Sequence, residues 1–223
     1  MVMGLLLKMM MTKQLSFEGG TIALKDIHLA LLPTSFVGEL TRYFYLEKRL
    51  PQYYMISWMW NYVLCAQIGK DYNLTTPDKM YSFGMNLAEA MGIGIYKTHD
   101  YFPGRYTHFV INNNPFFEYS KGIDEKIPID YFIAGTMAGG GCHVHSAICQ
   151  CVELRCLNKG DSACEFLTGT EKELKDRGLW ETAYERYNLK KIYPLQKEFG
   201  KKYKPGKGAD LIDKMVRKLN SLE

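Results

Sequence analysis

The sequence predicts an α/β fold of the α+β type, in which an antiparallel sheet packs against helices. Pairs of segments with strand-like alternation are each joined by a short turn, which is typical of antiparallel hairpins. Elsewhere apolar residues recur every three or four positions, as in amphipathic helices. With 47% hydrophobic and 23% charged residues, the chain can bury roughly 70% of its unfolded surface. This composition excludes disordered, collagen-like and coiled-coil proteins.

The length of 223 residues suits one domain with an appendage, because domains run to roughly 100–200 residues. We expect a flexible leader over residues 1–18 and a ligand-binding domain over 19–185. A basic linker and an amphipathic terminal helix are expected over residues 186–223.

The first half of the domain is predicted to be mostly helical. Residues 20–32 alternate like a strand, and Pro33-Thr34-Ser35 then offers a break and a cap for a helix over 35–49. A second apolar helix is expected over 54–68. The clearest helix begins at Thr76-Pro77, where Thr76 is a good cap and proline suits the first position, and it ends near Gly92.

The second half alternates between strands and helices. Residues 93–96 and 105–112 form a predicted hairpin with Phe102-Pro-Gly at its turn. A helix with one face of small residues is expected from Pro128 to Gly139, followed by strands over 144–156 and 163–168. Thr170 to Glu173 is a capping box that opens another helix, and residues 211–222 form the amphipathic terminal helix.

Charge and hydropathy limit the possible partners. No apolar run approaches the roughly 18 residues of a membrane helix, and the first residues lack the features of a signal peptide, so we expect a cytoplasmic protein without a membrane span. Residues 186–207 contain eight Lys/Arg against Glu198 alone. Such a segment is more often a solvated tail than a nucleic-acid surface, so nucleic acid is an unlikely partner.

The six cysteines point to metal or redox chemistry, because clustered thiols in a reducing compartment seldom form disulfides. Cys156 and Cys164 are symmetric about Gly160, so they face each other in a hairpin that turns there. Two thiolates completed by nitrogen or carboxylate ligands describe zinc. Glu153 is the nearest carboxylate, but it reaches the same side only if the strand bulges or ends. Buried free cysteines are the common alternative.

A second group of ligand-type residues alternates along the predicted strand before Glu153. Its side chains would line one face of that strand. The face is either a core with soft cysteines, which is the more frequent case, or the wall of a cavity with a second metal or redox group such as iron–sulfur or haem. His143, His145, Cys149 and Cys151 alternate in this way together with Glu153, and Cys142 completes the group that a redox enzyme would use.

The 16 Tyr and 11 Phe residues exceed the usual needs of a core and predict a cavity for a hydrophobic or aromatic small molecule. His108, in the predicted strand over 105–112, could hydrogen-bond a ligand, although a structural histidine is more frequent. The candidate ligand-binding residues are Tyr106, His108, Phe109, Phe116 and Phe117.

The motif Glu153-x-x-Cys156-x7-Cys164-x-Phe166 resembles the 4-vinyl reductase domain family, whose members include aromatic-sensing and hydrocarbon-binding domains. The small subunits of TRAPP trafficking complexes share its fold. The part of the chain that contains the motif and resembles the family covers about residues 127–168. It implies a structural zinc that staples the C-terminal hairpin through Glu153, Cys156 and Cys164. In the fourth ligand position this chain has Asp130 where the sensors have cysteine, with His143 and His145 as nitrogen alternatives.

The sequence therefore predicts a zinc-stapled binding or sensory module with no catalytic residue of its own. One rival is a redox or tetrapyrrole-related enzyme that uses the second Cys/His group. The other is an assembly subunit that needs neither zinc nor cavity. Apolar helices near the start and the terminal apolar stripe also predict a homodimer.

Overall fold

The structure, a computed structural model, describes residues 9, 11–12, 15–18, 21–25, 27–29, 33–120, 123, 127–206 and 208–221. Within these residues the chain has the mixed α+β fold that the sequence predicts, with two antiparallel sheets in place of the single predicted one. The strands are β1 (Leu15–Glu18), β2 (Thr21–Leu24), β3 (Ile27–Leu29), β4 (Ile95–Phe102), β5 (Tyr106–Asn112), β6 (Cys149–Arg155) and β7 (Cys164–Thr170). The helices are α1 (Thr34–Leu46), α2 (Leu50–Asp71), α3 (Pro77–Ala90), α4 (Phe117–Ser120), α5 (Tyr131–His145), α6 (Glu171–Asp176), α7 (Trp180–Arg186), α8 (Leu189–Lys202) and α9 (Ala209–Asn220).

The N-terminal part forms a small sheet in the order β1-β2-β3. The single strand predicted over 20–32 is instead two strands, because the chain turns at Lys25, which has a positive φ of 50°. Strand β1 falls within the predicted leader, of which residues 1–8, 10 and 13–14 lie outside the described part. Residues 19–20, 26 and 30–32 of the predicted strand also lie outside it. Leu24 is buried against a cluster that includes Ile68.

The larger sheet has the strand order β4-β5-β7-β6. The predicted hairpin is confirmed as β4 and β5, with Gly104 in its turn at a φ of +76°. A bulge at His99 interrupts the register between Thr98 and Asp100. Among the described strands, β4 and β6 form the two edges of this sheet.

Helix α5 packs between the larger sheet and helix α2, and glycines bring it close to both. A Cβ atom on Gly135 would lie 2.4 Å from the Tyr54 carbonyl oxygen, and one on Gly139 would lie 2.2 Å from that of Trp58. A Cβ atom on Gly141 would lie 2.6 Å from Thr168 in β7. The small residues of this helix are therefore required by close backbone packing.

Helix α5 extends beyond its predicted end at Gly139. It continues to His145 and ends at Ser146, which adopts a left-handed conformation with a φ of 54°. The strand predicted from residue 144 begins at Cys149. Glycine usually weakens a helix, but here the close contacts to α2 and the sheet outweigh that preference. As a result, His143 and His145 lie on the helix rather than on a strand.

Two predicted caps are confirmed. The Thr76 hydroxyl accepts a hydrogen bond from the Lys79 amide at 3.4 Å and begins α3. The Thr170 hydroxyl accepts one from the Glu173 amide at 3.3 Å and begins α6. The helix predicted over 54–68 starts earlier, at Leu50, because its first turn accommodates a proline.

The C-terminal segment packs on the domain instead of forming a linker. Helix α8 lies within the predicted basic linker, and the ring of its buried Phe199 is 6.0 Å from that of Trp58 and 5.7 Å from that of Tyr62. The apolar stripe of α9 is buried in the same core through Met215 and Leu219, while Leu222 lies outside the described residues. No helix in the described part of the chain is both long and apolar enough to cross a membrane.

Candidate functional site

Two carboxyl groups and two thiols converge where β6, β7 and the start of α5 meet. Their ligand-type oxygen and sulfur atoms all lie within 4.8 Å of one another, and all four residues are buried. Asp130 directly precedes α5, Glu153 lies in β6, and Cys156 and Cys164 flank the turn between β6 and β7. Glu153, Cys156 and Cys164 are the three zinc ligands that the family resemblance implies, and Asp130 is the candidate for the fourth position, for which His143 and His145 were the alternatives.

A bulge places the carboxylate and the thiols on one side. The register between β6 and β7 shifts between Glu153 and Arg155. In a regular strand Glu153 and Cys156 would point to opposite faces, so this extra residue is what brings them together. The turn itself is held by the Cys156 amide, which donates to Asp161 at 2.8 Å, and by Gly160 at a φ of +84°.

The surrounding polar groups donate to this cluster rather than accept from it. Asn114 Nδ2 lies 2.8 Å from Asp130 Oδ2 and 3.5 Å from Cys164 Sγ. The Asp130 amide donates to Glu153 Oε2 at 3.3 Å, while Glu153 Oε1 has no hydrogen-bond partner among the described residues. The Arg186 guanidinium donates to the Glu153 backbone carbonyl at 3.0 Å and so leaves the carboxylate itself without an ion pair in the described structure.

Burial and close spacing shift the pKa of each group in the cluster. Burial raises the pKa of Asp130, and burial together with the nearby Asp130 raises that of Glu153. The hydrogen bond between the thiols lowers the pKa of Cys156 to about 7 and raises that of Cys164. A buried carboxyl group without a basic partner either keeps its proton or ionises against a bound cation, so this cluster is suited to hold a metal ion. Two sulfur and two oxygen donors fit a tetrahedral divalent ion.

The second Cys/His group does not form a metal site in the described part of the chain. The four-residue cluster above is the one group there with three or more converging ligand atoms. His143 Nε2 lies 2.9 Å from the Tyr62 carbonyl oxygen, and His145 Nε2 lies 3.2 Å from the Thr107 hydroxyl. The Cys142 thiol donates to the Ala138 carbonyl and accepts from the Cys149 amide, each at 3.2 Å. Burial raises the pKa of Cys151 to about 12, which keeps that thiol protonated.

A separate apolar cavity of about 90 Å³ lies between helices α2, α3 and α5 and the sheet. Its lining includes the exposed Trp60 and Met91 as well as the fully buried Phe109, so it reaches from the surface into the core. Small residues create the space, because Gly84 has no heavy atom within 4 Å of an added Cβ position. Further lining comes from Leu64, Met80, Leu87, Met137, Gly140 and Val144.

Thr136 is the polar group of most interest in this cavity. It lines the cavity, is 3% exposed, and its hydroxyl has no hydrogen-bond partner among the described residues. Its carbonyl oxygen accepts from Asn61 Nδ2 at 2.7 Å, which holds α2 and α5 together beside the cavity. Thr136 carries no sequence signal of its own, and the run of small residues in α5 is the one feature that could have directed attention to it.

The five aromatic and histidine residues predicted to bind a ligand do not form one group. Phe109 lines the cavity. His108 lies on the opposite face of the sheet, with Nε2 2.6 Å from Glu165. Tyr106 packs under the Arg177 guanidinium at 3.8 Å, and Phe116 packs against Phe132 with ring centroids 5.4 Å apart. Phe117 lies in the short helix α4. Alternation along β5 separates His108 from Phe109, because neighbouring residues of a strand face opposite sides.

Comparison with solved structures identifies the fold. The chain is similar to the crystal structure of the phenol-responsive sensory domain of the transcription activator PoxR with phenol. The TM-score is 0.61 at 18% sequence identity, and the match covers 76% of this chain and 92% of that one. Subunit 3 of a trafficking protein particle complex from Naegleria fowleri, covalently bound to palmitic acid, matches with a TM-score of 0.44 at 12% identity. That match covers 61% of this chain and 93% of the other. No family model matches the sequence, and no curated protein sequence matches it significantly.

Proposed function

We propose that the chain is a binding module that takes a small aromatic or otherwise flat apolar molecule into the cavity beside Thr136. The observation that carries this proposal is an apolar cavity that contains a buried hydroxyl without a partner. Ligand sites are mostly apolar with a few polar groups that fix the orientation. A sensory domain of the same fold with phenol supports the assignment. We also propose membership of the 4-vinyl reductase domain family on the motif at Glu153, Cys156 and Cys164.

The size and lining of the cavity favour one aromatic ring with one polar substituent. A volume of about 90 Å³ is smaller than the roughly 150 Å³ of an engineered protein cavity that binds benzene, so it excludes ligands larger than one ring. A single ring fits only if part of it lies in the opening beside Trp60 and Met91. An unpaired buried hydroxyl gains a hydrogen bond only from a ligand that carries a donor or acceptor. We therefore expect phenol to bind more tightly than toluene, which has a similar shape and no hydroxyl group.

Calorimetric titration with phenol and toluene tests the proposed orientation. Thr136→Val conserves the volume and removes the hydroxyl group, so it should weaken phenol binding about fivefold, since one hydrogen bond contributes roughly 1 kcal/mol. Toluene affinity should stay the same in this variant. At 100 times its dissociation constant, a ligand should also raise the free energy of unfolding by about 2.7 kcal/mol.

Two substitutions at Gly84 test whether the cavity is the ligand site. Gly84→Leu projects a side chain into the open space next to Gly84 and should abolish binding of both compounds. Gly84→Ala adds one methyl group at the same position and should retain binding. If neither compound binds the wild-type protein, or if Gly84→Leu binds as well as the wild type, the cavity is not the ligand site.

We further propose that Asp130, Glu153, Cys156 and Cys164 hold one structural zinc ion. Two thiolates and two carboxylates match the donors of a closed tetrahedral zinc site, and the unpaired Glu153 Oε1 leaves an acceptor for a cation. Bound zinc would supply positive charge to the cluster and crosslink the β6–β7 turn to the start of α5. It would therefore contribute directly to the free energy of folding.

Elemental analysis of freshly purified protein should find about one zinc per chain. Cys164→Ser should lose the metal and lower the melting temperature, because it removes one of two thiolate ligands. Cys65→Ser is the matched control, since Cys65 lies in α2 away from the cluster, and it should retain the metal. Metal-free wild-type protein would contradict the proposal, and iron with a visible absorption band would favour the redox alternative.

A further inference from the structure

The edge strand β4 is the feature that the binding function leaves unexplained. It is eight residues long and pairs with β5 on one side, and among the described strands it has no neighbour on the other. Six of its residues are exposed. The Tyr96 amide of this edge donates to Glu89 Oε1 at 3.1 Å, so a second strand must replace that one hydrogen bond. The remaining length of the edge is a template for another strand.

Four exposed side chains of β4, two apolar and two charged, share one face of the sheet. The cross-strand partners of Ile95, Lys97, Asp100 and Phe102 are Asn112, Val110, His108 and Tyr106. These partners alternate along β5, so they lie on one face, and the four residues opposite them lie on that face too. Ile95 is 54% exposed and Phe102 is 44% exposed, although both are large and apolar.

The sequence of this strand is complementary to itself when it is read in the antiparallel direction. Pairing two copies about a point between Thr98 and His99 sets Ile95 opposite the partner's Phe102. It also sets Lys97 opposite the partner's Asp100, and each of these pairs occurs twice. Apolar residues meet apolar residues and each lysine meets a carboxylate. Directly opposed pairs of these kinds stabilise antiparallel strands.

The bulge at His99 also favours a second copy of β4 as the partner strand. A bulged strand carries one residue more than a regular neighbour and cannot match it along its whole length. Two copies related by a two-fold axis through the bulge carry the extra residue at the same level. A second copy of β4 therefore matches this edge better than an unrelated regular strand does.

We propose that two copies of this chain associate through antiparallel pairing of β4 with β4, which joins two four-stranded sheets into one of eight strands. The contact is self-complementary, as a two-fold dimer requires. The Asp100 carboxylate lies 3.8 Å from His108 Nδ1 and is 55% exposed, so it is accessible to a partner lysine. Helix α1 also exposes apolar side chains such as Leu46, at 69%. It is therefore the alternative dimer interface that the experiment must distinguish from β4.

Sedimentation equilibrium of the full chain at micromolar concentration should give twice the monomer mass of 25.7 kDa. Asp100→Lys alone and Lys97→Asp alone place like charges opposite each other, so each should raise the dimer dissociation constant roughly tenfold or more. The double variant Lys97→Asp/Asp100→Lys restores opposite charges and should recover the dimer. This recovery also excludes misfolding, and loss of the His108 contact, as the cause of the effect of Asp100→Lys.

Leu46→Lys is the matched control on α1 and should remain dimeric. A monomeric wild-type protein at this concentration would overturn the proposal. So would a dimer that both single variants leave intact, or one that Leu46→Lys dissociates while the β4 variants do not. Failure of the double variant to recover the dimer would show that the charges do not face each other and would also overturn the register.

Discussion

At the scale of single residues, His145 shows how burial changes the protonation of a side chain that was a candidate metal ligand. It is 3% exposed at the end of α5, and its Nδ1 atom has no hydrogen-bond partner among the described residues. Burial lowers its pKa to about 4, below the ordinary value of 6.5. The ring is therefore neutral in the folded protein at neutral pH, and it acts as a packing group that contacts Thr107.

The depressed pKa of His145 predicts a loss of stability in acid. Below pH 6.5 the unfolded chain binds a proton at this residue that the folded chain does not bind. The free energy of unfolding should therefore be fully retained above pH 6.5 and fall as the pH decreases towards 4, by up to about 3 kcal/mol from this residue. Urea titrations between pH 4 and 7 measure this dependence.

The variant His145→Gln should remove this part of the pH dependence, whatever its effect on stability at pH 7. His99→Gln changes an exposed histidine of β4 and serves as the substitution control. Part of the slope will remain in His145→Gln because burial also lowers the pKa of His143. An unchanged slope would mean that His145 is not buried in its neutral form.

At the scale of elements, the packing of α5 on α2 determines the shape of the site. The glycines of α5 let the two backbones touch, and the same close contact aligns Thr136 with the cavity. Asp130 directly precedes α5, so one helix connects the cavity wall with the cluster of Asp130, Glu153, Cys156 and Cys164. A change in this helix is therefore expected to affect both.

A pair of glycine substitutions tests this packing. Gly139→Ala places a methyl group 2.2 Å from the Trp58 carbonyl oxygen and should lower the free energy of unfolding by roughly 1–3 kcal/mol, because α2 must move. Gly84→Ala in α3 meets no atom within 4 Å and should raise it by up to about 1 kcal/mol through helix propensity. Thermal denaturation of both variants separates the two effects, and equal melting temperatures would contradict the close contact.

At the scale of the whole molecule, one core joins the predicted domain and the C-terminal helices. Phe199 of α8 is fully buried beside Trp58 of α2. A chain of hydrogen bonds between buried side chains runs from Tyr54 to Gln150 at 2.8 Å and from Gln150 to Gln196 at 2.7 Å. The basic residues lie on the outside of this helix, where Lys202 pairs with Glu198 at 2.8 Å.

Because α8 completes the core, its removal should unfold the protein rather than release a tail. Phe199→Ala should lower the free energy of unfolding by about 3–5 kcal/mol, as expected for a fully buried aromatic residue. Deletion of residues 187–223 should abolish the cooperative melt observed by circular dichroism. Lys201→Ala on the exposed side of α8 should have no measurable effect. A truncated chain that melts like the full one would show that the domain ends near residue 185.

The sequence by itself determined the features that depend on local physics. Caps at Thr76 and Thr170, the hairpin of β4 and β5 and the mixed α+β class all follow from side-chain periods and turn residues within a few positions. The motif around Glu153, Cys156 and Cys164 also gave three of the four residues that the structure brings within 4.8 Å, since a hairpin sets the positions of its residues by short-range register.

Only the tertiary structure decided the rest. The length of α5 depends on contacts with α2 that outweigh the low helix propensity of glycine. The cavity and Thr136 arise where four elements distant in sequence meet, and the burial of α8 depends on rings from α2. The free edge of β4 becomes visible only when the strand order is known. These features share one physical reason: each results from contacts between segments far apart in the chain, which side-chain periods within one segment do not encode.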